Sequence, residues 1–598
     1  MKNFLKSRFE ALYFFYQYLG FTLFLMLLFS LLMVLLDSLG LAMFVPLLQV
    51  ADNSGLNVST GDENKLILYV RDFFEFIHLP VTIGNMLILI VALFVLKAVF
   101  FYFASVYLAV NQNIFSKNIR HKMILAFQQL SYKEYLKIDV GRLQNSLLGE
   151  AWQVVYACNQ YLETIKNSMF VVIYLGFAFF LDWKFSILVT VGGLLSNFIY
   201  KYFYKKTEDL SRSITQNNHR YSGELIEVFN NYKYIKGTGR SKMFFRRLLG
   251  ELDSLISNQI EVSKLASRLA ALREPITIII ICAVIGIHVI VFKASLGAIM
   301  VILLFFYRVM QKIVDIQSNW NNYLMHVGSI ENLKEFQAIL DKNQEVEYFG
   351  SEIQNVDSIK VRDLSLKFDE QVVLNNINLD IKKNETIALV GESGSGKTSL
   401  VNVISTLLAP SGGQLLINDK PFDTLNSLSY KTKIGYITQE ATIFNATIFE
   451  NITFWEDKNE QSLKKFNEVL RMCGLVNFVN ELPMKEDSSL GNNGINISGG
   501  QKQRISIARE LYRDIEILIM DEATSALDSE TEHIIKESIE SLKGKLTIIA
   551  IAHRLSTIRN SDTIYLLEKG QVIASGDFDG LRENSPYFNK LTQLQGIV

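Results

Sequence analysis

A glycine-rich stretch, GESGSGKTS at residues 391–399, has the residue types and the spacing of a phosphate-binding loop. Gly391 is followed after four residues by Gly396, Lys397 and Thr398, with a predicted strand before the stretch and a predicted helix after it. In such a loop the backbone N–H groups turn toward the β- and γ-phosphates of a nucleotide, the lysine adds a point charge, and the threonine hydroxyl coordinates Mg²⁺. A bare pattern of this length also occurs by chance, but the flanking strand and helix favour phosphate binding. The predicted contacts come from Gly391, Glu392, Ser393, Gly394, Ser395, Gly396, Lys397, Thr398 and Ser399.

An acidic pair follows a second hydrophobic strand, in IEILIMDEATSALD at residues 515–528. Asp521 suits the shell of a Mg²⁺ ion, and Glu522 suits orienting or deprotonating an attacking water. General-base assistance of that kind contributes roughly 10²–10⁴ in rate. A solvated acidic pair at a strand end is the alternative, and it loses weight when a phosphate loop lies on the same sheet. The two stretches together predict nucleotide hydrolysis.

A third stretch, NISGGQKQR at residues 496–504, contains a serine and two adjacent glycines but no lysine or aspartate placed to hold a nucleotide by itself. With the first two stretches, in this order, the chain resembles the ATP-binding cassette (ABC) transporter family over essentially its whole length. The resemblance implies that this signature faces the γ-phosphate held by Lys397 of the partner subunit. The signature residues are Ser498, Gly499, Gly500 and Gln501. A serine hydroxyl and the N–H groups of a helix N-terminus form an anion site without a charged side chain. Because one chain carries both halves of such a site complete, the resemblance implies a homodimer with two composite ATP sites.

Other positions acquire roles only through this resemblance. Phe368 corresponds to the aromatic residue that stacks on adenine, where tyrosine is more usual, and a lone phenylalanine in a strand would otherwise be assigned to the core. Gln439 corresponds to the glutamine that reaches Mg²⁺ and the water, and His553 to the histidine that contacts the γ-phosphate. Asp528 ends a loop that crosses the dimer. The chain departs from the pattern at Asn492, where many exporters have a glutamate, which puts coupling through that contact in doubt. The implied cofactors are ATP and Mg²⁺, with Thr398, Gln439 and Asp521 as the metal ligands.

Length and composition indicate more than one domain, part of it in lipid. A chain of 598 residues is too long for one hydrophobic core. Its residues are 49% hydrophobic and its mean hydropathy is +0.20. The net charge of −1 gives no basic excess, so no nucleic-acid partner is expected. The three cysteines are far apart in sequence and have no zinc or disulfide spacing.

Six apolar runs in the first part of the chain are close to the ~20 residues that a helix needs to cross a bilayer. A cleavable signal peptide is the alternative for the first run, but that run continues too far and lacks a small-residue cleavage site. Lysine and arginine concentrate in 112–152 and 201–268 and are sparse in 49–85, so the N-terminus and the second half are expected to be cytoplasmic. The six predicted spans are 18–48, 86–111, 153–181, 185–206, 270–292 and 295–318.

The predicted fold is a multi-domain membrane protein, in which an all-α six-helix transmembrane domain precedes an α/β phosphate-loop nucleotide-binding domain. The expected boundaries are 1–340 for the membrane domain, 341–356 for a linker and 357–598 for the nucleotide-binding domain. This order resembles an exporter-type half-transporter. Soluble ABC ATPases that act on DNA or ribosomes lack membrane spans, and importers usually keep the two kinds of domain on separate chains. Two interruptions of the internal helices, 131–144 and 230–244, are candidate contacts to the second half.

Three charged residues fall at membrane depth, where ionisable groups are expensive and usually face a partner or a cavity. Asp37 and Lys97 are both predicted near the midplane and could form an ion pair. Arg308 lies about as deep and has no obvious acidic partner in sequence. All three are substrate-site candidates. The expected activity is ATP-driven export or flipping across the cytoplasmic (inner) membrane, with an amphipathic, phospholipid-like or lipid-linked oligosaccharide substrate. The alternative is an exporter of peptides or hydrophobic drugs.

Overall fold

The computed structural model describes residues 2–44, 46–47, 72–181, 183–292, 296–521, 537, 539–551 and 558–594. These residues form two compact units. The first unit comprises Met1–Leu130 and Lys137–Gln344, and the second comprises Ser131–Leu136 and Glu345–Val598. A six-residue segment between two parts of the helical unit therefore belongs to the second unit. Ile353 and Val356, from the stretch that was expected to be a linker, are buried in the core of the second unit.

The first unit is helical. Its first helix ends at Leu19 because Gly20 adopts φ 56° and ψ −136°, a conformation that only glycine takes at low cost. The membrane run predicted to begin at residue 18 therefore starts as a new helix at Phe21. The helices are α1 (Lys2–Leu19), α2 (Phe21–Ala42), α3 (Ile83–Gln128), α4 (Tyr132–Tyr135, in the second unit), α5 (Val140–Asn145), a π-helix (Ser146–Glu150), α6 (Ala151–Leu181), α7 (Trp183–Asn230), α8 (Tyr232–Gly237), α9 (Ser241–Phe292), α10 (Leu296–Leu324) and α11 (Val327–Lys342).

Several of these helices are much longer than a bilayer is thick. The 46 residues of α3 extend for about 69 Å at about 1.5 Å per residue, against a hydrocarbon thickness of about 30 Å. Within the described residues, four helical stretches are long and apolar enough to cross a membrane: Phe21–Ala42, Ile83–Gln128, Val140–Phe179 and Ser241–Ile287. The other two predicted spans lie on α7 and α10, apart from residue 295, which is outside the described residues. The helices thus carry the apolar runs and extend well past them.

A buried carboxylate joins the helices of the first unit where they leave the apolar runs. The Glu150 side chain is 1% exposed, and it accepts hydrogen bonds from the Ser146 hydroxyl (2.9 Å) and the Asn332 amide (2.5 Å). His219 Nε2 lies 2.6 Å from the other carboxylate oxygen. A buried carboxylate is tolerated only when polar groups compensate its lost hydration, and these three side chains surround it. Glu150 therefore ties the π-helix to α7 and α11.

The second unit is an α/β domain with two sheets. A four-stranded antiparallel sheet has the order β2-β1-β4-β5, and a six-stranded sheet has the order β10-β9-β3-β8-β7-β6. The strands are β1 (Ser358–Phe368), β2 (Gln371–Lys382), β3 (Thr386–Val390), β4 (Gly412–Ile417), β5 (Lys420–Pro421), β6 (Ile434–Ile437), β7 (Ile517–Asp521), β8 (Thr547–Ile551), β9 (Thr563–Glu568) and β10 (Gln571–Gly576). The helices are α12 (Lys397–Ile404), α13 (Ser427–Lys431), α14 (Ile448–Thr453), α15 (Glu460–Met472), α16 (Val476–Glu481), α17 (Gly499–Tyr512), α18 (Phe578–Asn584) and α19 (Pro586–Leu594).

The parallel strands of the larger sheet place their carboxyl ends along one edge of the sheet. Strands β9, β3, β8, β7 and β6 are parallel neighbours, and every residue of β3 is buried. Asp521 pairs in register with Ile551, which also pairs with Leu389. The carboxyl ends of β3, β7 and β8 are therefore level, which is where ligands bind in open α/β sheets.

Candidate ATP site and membrane charges

The phosphate loop links the end of β3 to the start of α12. Gly396 precedes the helix with φ 102°, and a Cβ there would lie 2.7 Å from Leu374 Cδ2. A Cβ on Gly391 would lie 2.2 Å from the Leu567 carbonyl oxygen. Both positions therefore exclude a side chain, by backbone conformation at one and by close approach at both. The loop thus presents backbone rather than side chains in front of the N-terminus of α12.

The lysine of the loop is folded into it. Lys397 is 5% exposed, and its ammonium donates hydrogen bonds to the carbonyl oxygens of Gly391 (2.9 Å) and Glu392 (2.8 Å). These contacts hold a positive charge inside the concave face of the loop. An ammonium in that position, beside N–H groups at a helix N-terminus, suits the phosphates of a nucleotide.

The three predicted Mg²⁺ ligands come from the same edge of the sheet as the phosphate loop. Thr398 is exposed on the first turn of α12, Asp521 is the last residue of β7, and Gln439 is exposed two residues after β6. A hydroxyl, a carboxylate and an amide all offer oxygen, the donor that Mg²⁺ prefers. The donor set fits this ion.

A tyrosine ties the strand that leads to Gln439 to the helix that follows the phosphate loop. The Tyr436 hydroxyl donates to Asn402 Oδ1 at 3.1 Å. Burial, reinforced by the negative charge of Asp521, raises the pKa of Tyr436 above its ordinary value, so the phenol remains a neutral donor. This contact joins β6 to α12.

The signature begins α17. The Ser498 hydroxyl accepts from the Gln501 backbone N–H (3.2 Å), and the Gln501 side chain accepts from the Ser498 backbone N–H (2.8 Å). This capping box fixes the helix N-terminus. Ser498 and Gly499 are nevertheless exposed, and Ile495 just before them is 79% exposed. The signature is thus a well-formed helix terminus that faces outward from its own chain.

The structure adds one residue that no motif had singled out. Arg509 on α17 is 4% exposed and donates to the carbonyl oxygens of Thr442 (2.8 Å) and Asn451 (2.7 Å). Its guanidinium also lies over the rings of Phe444 and Phe454. These contacts join the signature helix to the segment that follows Gln439. A basic residue in the middle of an apolar helix pattern is the only sequence signal that could have identified it.

Three predicted site residues, Glu522, Asp528 and His553, lie outside the described residues. Phe368 ends β1, is half-buried, and packs against the core of the second unit. Asn492 is exposed in a short 3₁₀ turn before the signature.

Two of the three membrane charges pair with each other. Asp37 is 3% exposed on α2, and its carboxylate contacts both the Lys97 ammonium of α3 and the Tyr174 hydroxyl of α6. Arg308 on α10 is half-buried and interacts electrostatically with Tyr174. Across the described residues, Arg308 has no carboxylate within 4.0 Å. The charges of Asp37 and Lys97 neutralise each other, whereas among the described residues the positive charge of Arg308 has no ion-pair partner.

Comparison with known proteins gives the same two-part organisation. The family profile for the ABC transporter transmembrane region matches residues 23–314, and the ABC transporter profile matches residues 374–525. The heterocyst differentiation ATP-binding protein HepA of Nostoc sp. is 30% identical over 84% of this chain and 82% of its own. An ATP-dependent lipid A-core flippase of Francisella tularensis is also 30% identical, over 80% of this chain and 81% of its own. The flippase of that name from Ralstonia nicotianae is 27% identical over 85% and 86%.

A solved structure of a bacterial Atm1-family ABC exporter with ATP bound superposes with a TM-score of 0.78, at 20% identity, over 96% of this chain and 98% of that one. The similarity of fold therefore covers both units. Together with the phosphate loop and the signature, these matches show that the chain belongs to the ABC transporter family as an exporter-type half-transporter that couples ATP hydrolysis to transport.

Proposed function

We propose that the chain works as a homodimer in the cytoplasmic (inner) membrane and flips an anionic, lipid-like amphiphile. The observation that carries the substrate class is Arg308, a membrane-depth guanidinium without an ion-pair partner among the described residues. Two of the relatives are named lipid A-core flippases, which supports a substrate with a charged headgroup and acyl chains.

The proposal of a homodimer is based on the exposed signature. Each chain carries one complete phosphate loop and one complete signature. In its own chain Ser498 faces outward, and a Cβ on Gly499 would meet no atom within 4 Å. A helix terminus that is capped, exposed and free of bulk is suited to the phosphates of a nucleotide held by another subunit. Two identical chains then complete two ATP sites.

In each ATP site, different residues have different roles in hydrolysis. The phosphate loop and Lys397 hold the β- and γ-phosphates, while Ser498 of the partner subunit closes the site over the γ-phosphate. Glu522 accepts the proton of the attacking water, and Gln439 and His553 orient the water and the phosphate. Thr398, Asp521 and Gln439 would hold Mg²⁺, which would supply positive charge beside the phosphates.

The charges in the membrane support an anionic cargo. The Asp37 carboxylate contacts Lys97 and Tyr174, and no ion pair joins it to Arg308 among the described residues. One helical turn further along α10, Lys312 has a carboxylate partner, Asp315, at 2.9 Å. A guanidinium binds phosphate in bidentate fashion, and an unpaired charge at membrane depth is costly unless it has such a partner. A phosphate or other anionic headgroup supplies that partner.

The test is the Arg308→Ala variant, with Lys312→Ala as the control from the same helix. We expect Arg308→Ala to lose the stimulation of ATP hydrolysis by anionic amphiphiles while it keeps the basal rate and the thermal midpoint. Arg308→Lys should recover part of the stimulation, because it restores the charge but not the bidentate geometry. Lys312→Ala should respond to these amphiphiles like the unaltered protein.

Unchanged stimulation in the folded Arg308→Ala protein, or stimulation by neutral peptides and hydrophobic drugs alone, would refute the anionic cargo and favour a peptide or drug exporter. Mass spectrometry of lipids that copurify with the protein provides an independent check. Anionic lipid should be enriched relative to the host membrane in the unaltered protein and depleted in Arg308→Ala.

A further inference from the structure

Helix α4 belongs to the second unit, although the chain on both sides of it belongs to the first. The chain leaves the helical unit at Leu130 and returns to it at Lys137. Between these points Tyr132 packs against the core of the second unit. The next residue, Lys133, donates a hydrogen bond from its ammonium to the carbonyl oxygen of Lys367 at 3.2 Å. The helix is thereby attached to the end of β1.

The same ammonium lies over the ring of Phe368, 5.6 Å from its centroid. Phe368 is half-buried and packs against the sheet core, so one side of its ring is covered by the domain. The Lys133 ammonium lies over this ring and is attracted to its face as a cation. An adenine that stacks on Phe368 needs a ring face that the core does not cover.

Distance decides whether the base and the ammonium can share that face. Stacked rings approach to about 3.5 Å, the optimal separation of non-bonded carbon atoms. With the ammonium 5.6 Å from the centroid, a stacked base leaves about 2 Å between its plane and the nitrogen, which is less than any non-bonded contact. Lys133 must move when the base binds.

We propose that Lys133 competes with adenine for the face of Phe368, so that ATP binding releases this contact between α4 and β1. The inference rests on the proposed adenine role of Phe368. Because α4 is continuous at both ends with the helical unit, displacement of Lys133 reports the arrival of the base to that part of the chain. Lys133 is a positioning residue that senses the nucleotide and takes no part in the chemistry.

Binding measurements with and without a base test the competition. The probes are the β,γ-imido analogue of ATP, which is not hydrolysed, and inorganic triphosphate, which has no base. Lys133→Met keeps the side-chain length without the charge, and it should bind the analogue about two- to fivefold more tightly, the equivalent of one exposed cation–π contact. Its affinity for triphosphate should be unchanged. Lys133→Arg should bind the analogue no more tightly than the unaltered protein, and the control Lys117→Met, an exposed lysine on α3, should bind both probes normally.

Weaker or unchanged binding of the analogue by Lys133→Met would overturn the inference, as would an equal gain for both probes; an equal loss for both probes would make Lys133 a phosphate ligand instead. Phe368→Ala separates this failure from that of the adenine role. Phe368→Ala should weaken binding of the analogue and leave binding of triphosphate unchanged. If binding of the analogue is not weakened, Phe368 does not stack on adenine and the inference fails with that role. As a reciprocal readout, the analogue should increase the acetylation of Lys133 by an amine reagent, measured by peptide mass spectrometry, and triphosphate should not.

Discussion

Replacing Gly499 with alanine separates a role in folding from a role toward a second subunit. Gly499 is the first residue of α17, is exposed, and lies outside the left-handed backbone region. An added Cβ would meet nothing within 4 Å in its own chain. Alanine is favoured over glycine in helices by up to about 1 kcal/mol, and by less in the first turn. A gain of about 0.5 kcal/mol raises the thermal midpoint of a domain of this size by about 1–2 °C.

The same methyl group should impair the composite ATP site. The signature is expected to lie against the γ-phosphate through backbone N–H groups at hydrogen-bonding distance, about 2.9 Å from the acceptor. A methyl group on that surface displaces the phosphate by about 1 Å, and a misplacement of that size costs roughly 10² in rate. Gly499→Ala should thus be at least as stable as the unaltered protein and hydrolyse ATP roughly 100-fold more slowly.

Thermal unfolding and steady-state ATP hydrolysis measure the two effects on one preparation. The control is Gly250→Ala on α9, another exposed helical glycine whose added Cβ would meet nothing within 4 Å. It should gain stability without losing activity. Full hydrolysis by Gly499→Ala would refute the cross-dimer role of the signature, and a large loss of stability would show that the glycine is needed within its own chain.

Three further changes test other parts of the molecule. Glu522→Gln should bind ATP and accumulate as a closed, nucleotide-bound dimer while hydrolysis falls by roughly two orders of magnitude or more, and near-normal turnover would contradict its role as base. Mixed dimers of Lys397→Ala and Ser498→Arg chains should recover hydrolysis through one intact composite site although each parent homodimer is inactive; no recovery after confirmed exchange, in dimers able to turn over one site, would argue against shared sites. Glu150→Ala should lower the thermal midpoint well below that of Glu335→Ala, because the first change leaves buried polar partners without an acceptor and the second removes only an exposed ion pair; equal midpoints would contradict the structural role of Glu150.

The functional motifs of the second unit could be predicted from the sequence because each motif is continuous in the chain. The phosphate loop lies between a buried strand and a helix, as its spacing predicts, and Asp521 ends a hydrophobic strand. The fold class and the membrane helices follow from hydrophobic runs that are long enough to be unambiguous. The break at Gly20 was missed because an isolated glycine in an apolar run does not reveal whether it takes a left-handed conformation.

Contacts between distant residues were harder to predict. Arg509 bonds to carbonyl oxygens of a segment more than fifty positions away, and Lys133 lies over a ring more than two hundred positions away. Phe368 had been assigned a role through the family resemblance, and 131–144 had been expected to contact the second half, but which residues pair depends on how separate elements pack. Pattern and spacing describe one element at a time, so they carry no information about such pairs.

The membrane charges show where a single physical rule does reach across elements. Because an isolated charge at membrane depth is costly, two opposite charges predicted at the same depth should pair, and Asp37 does contact Lys97. The rule applies equally to Arg308, whose charge is not met by Asp37, since that carboxylate is occupied by Lys97 and Tyr174. If the cargo is the proposed anionic amphiphile, its headgroup recovers this unmet cost on binding, whereas a neutral cargo recovers none of it. Replacing Arg308 therefore removes both the cost and the selectivity, which is why stability should hold while the response to anionic amphiphiles is lost.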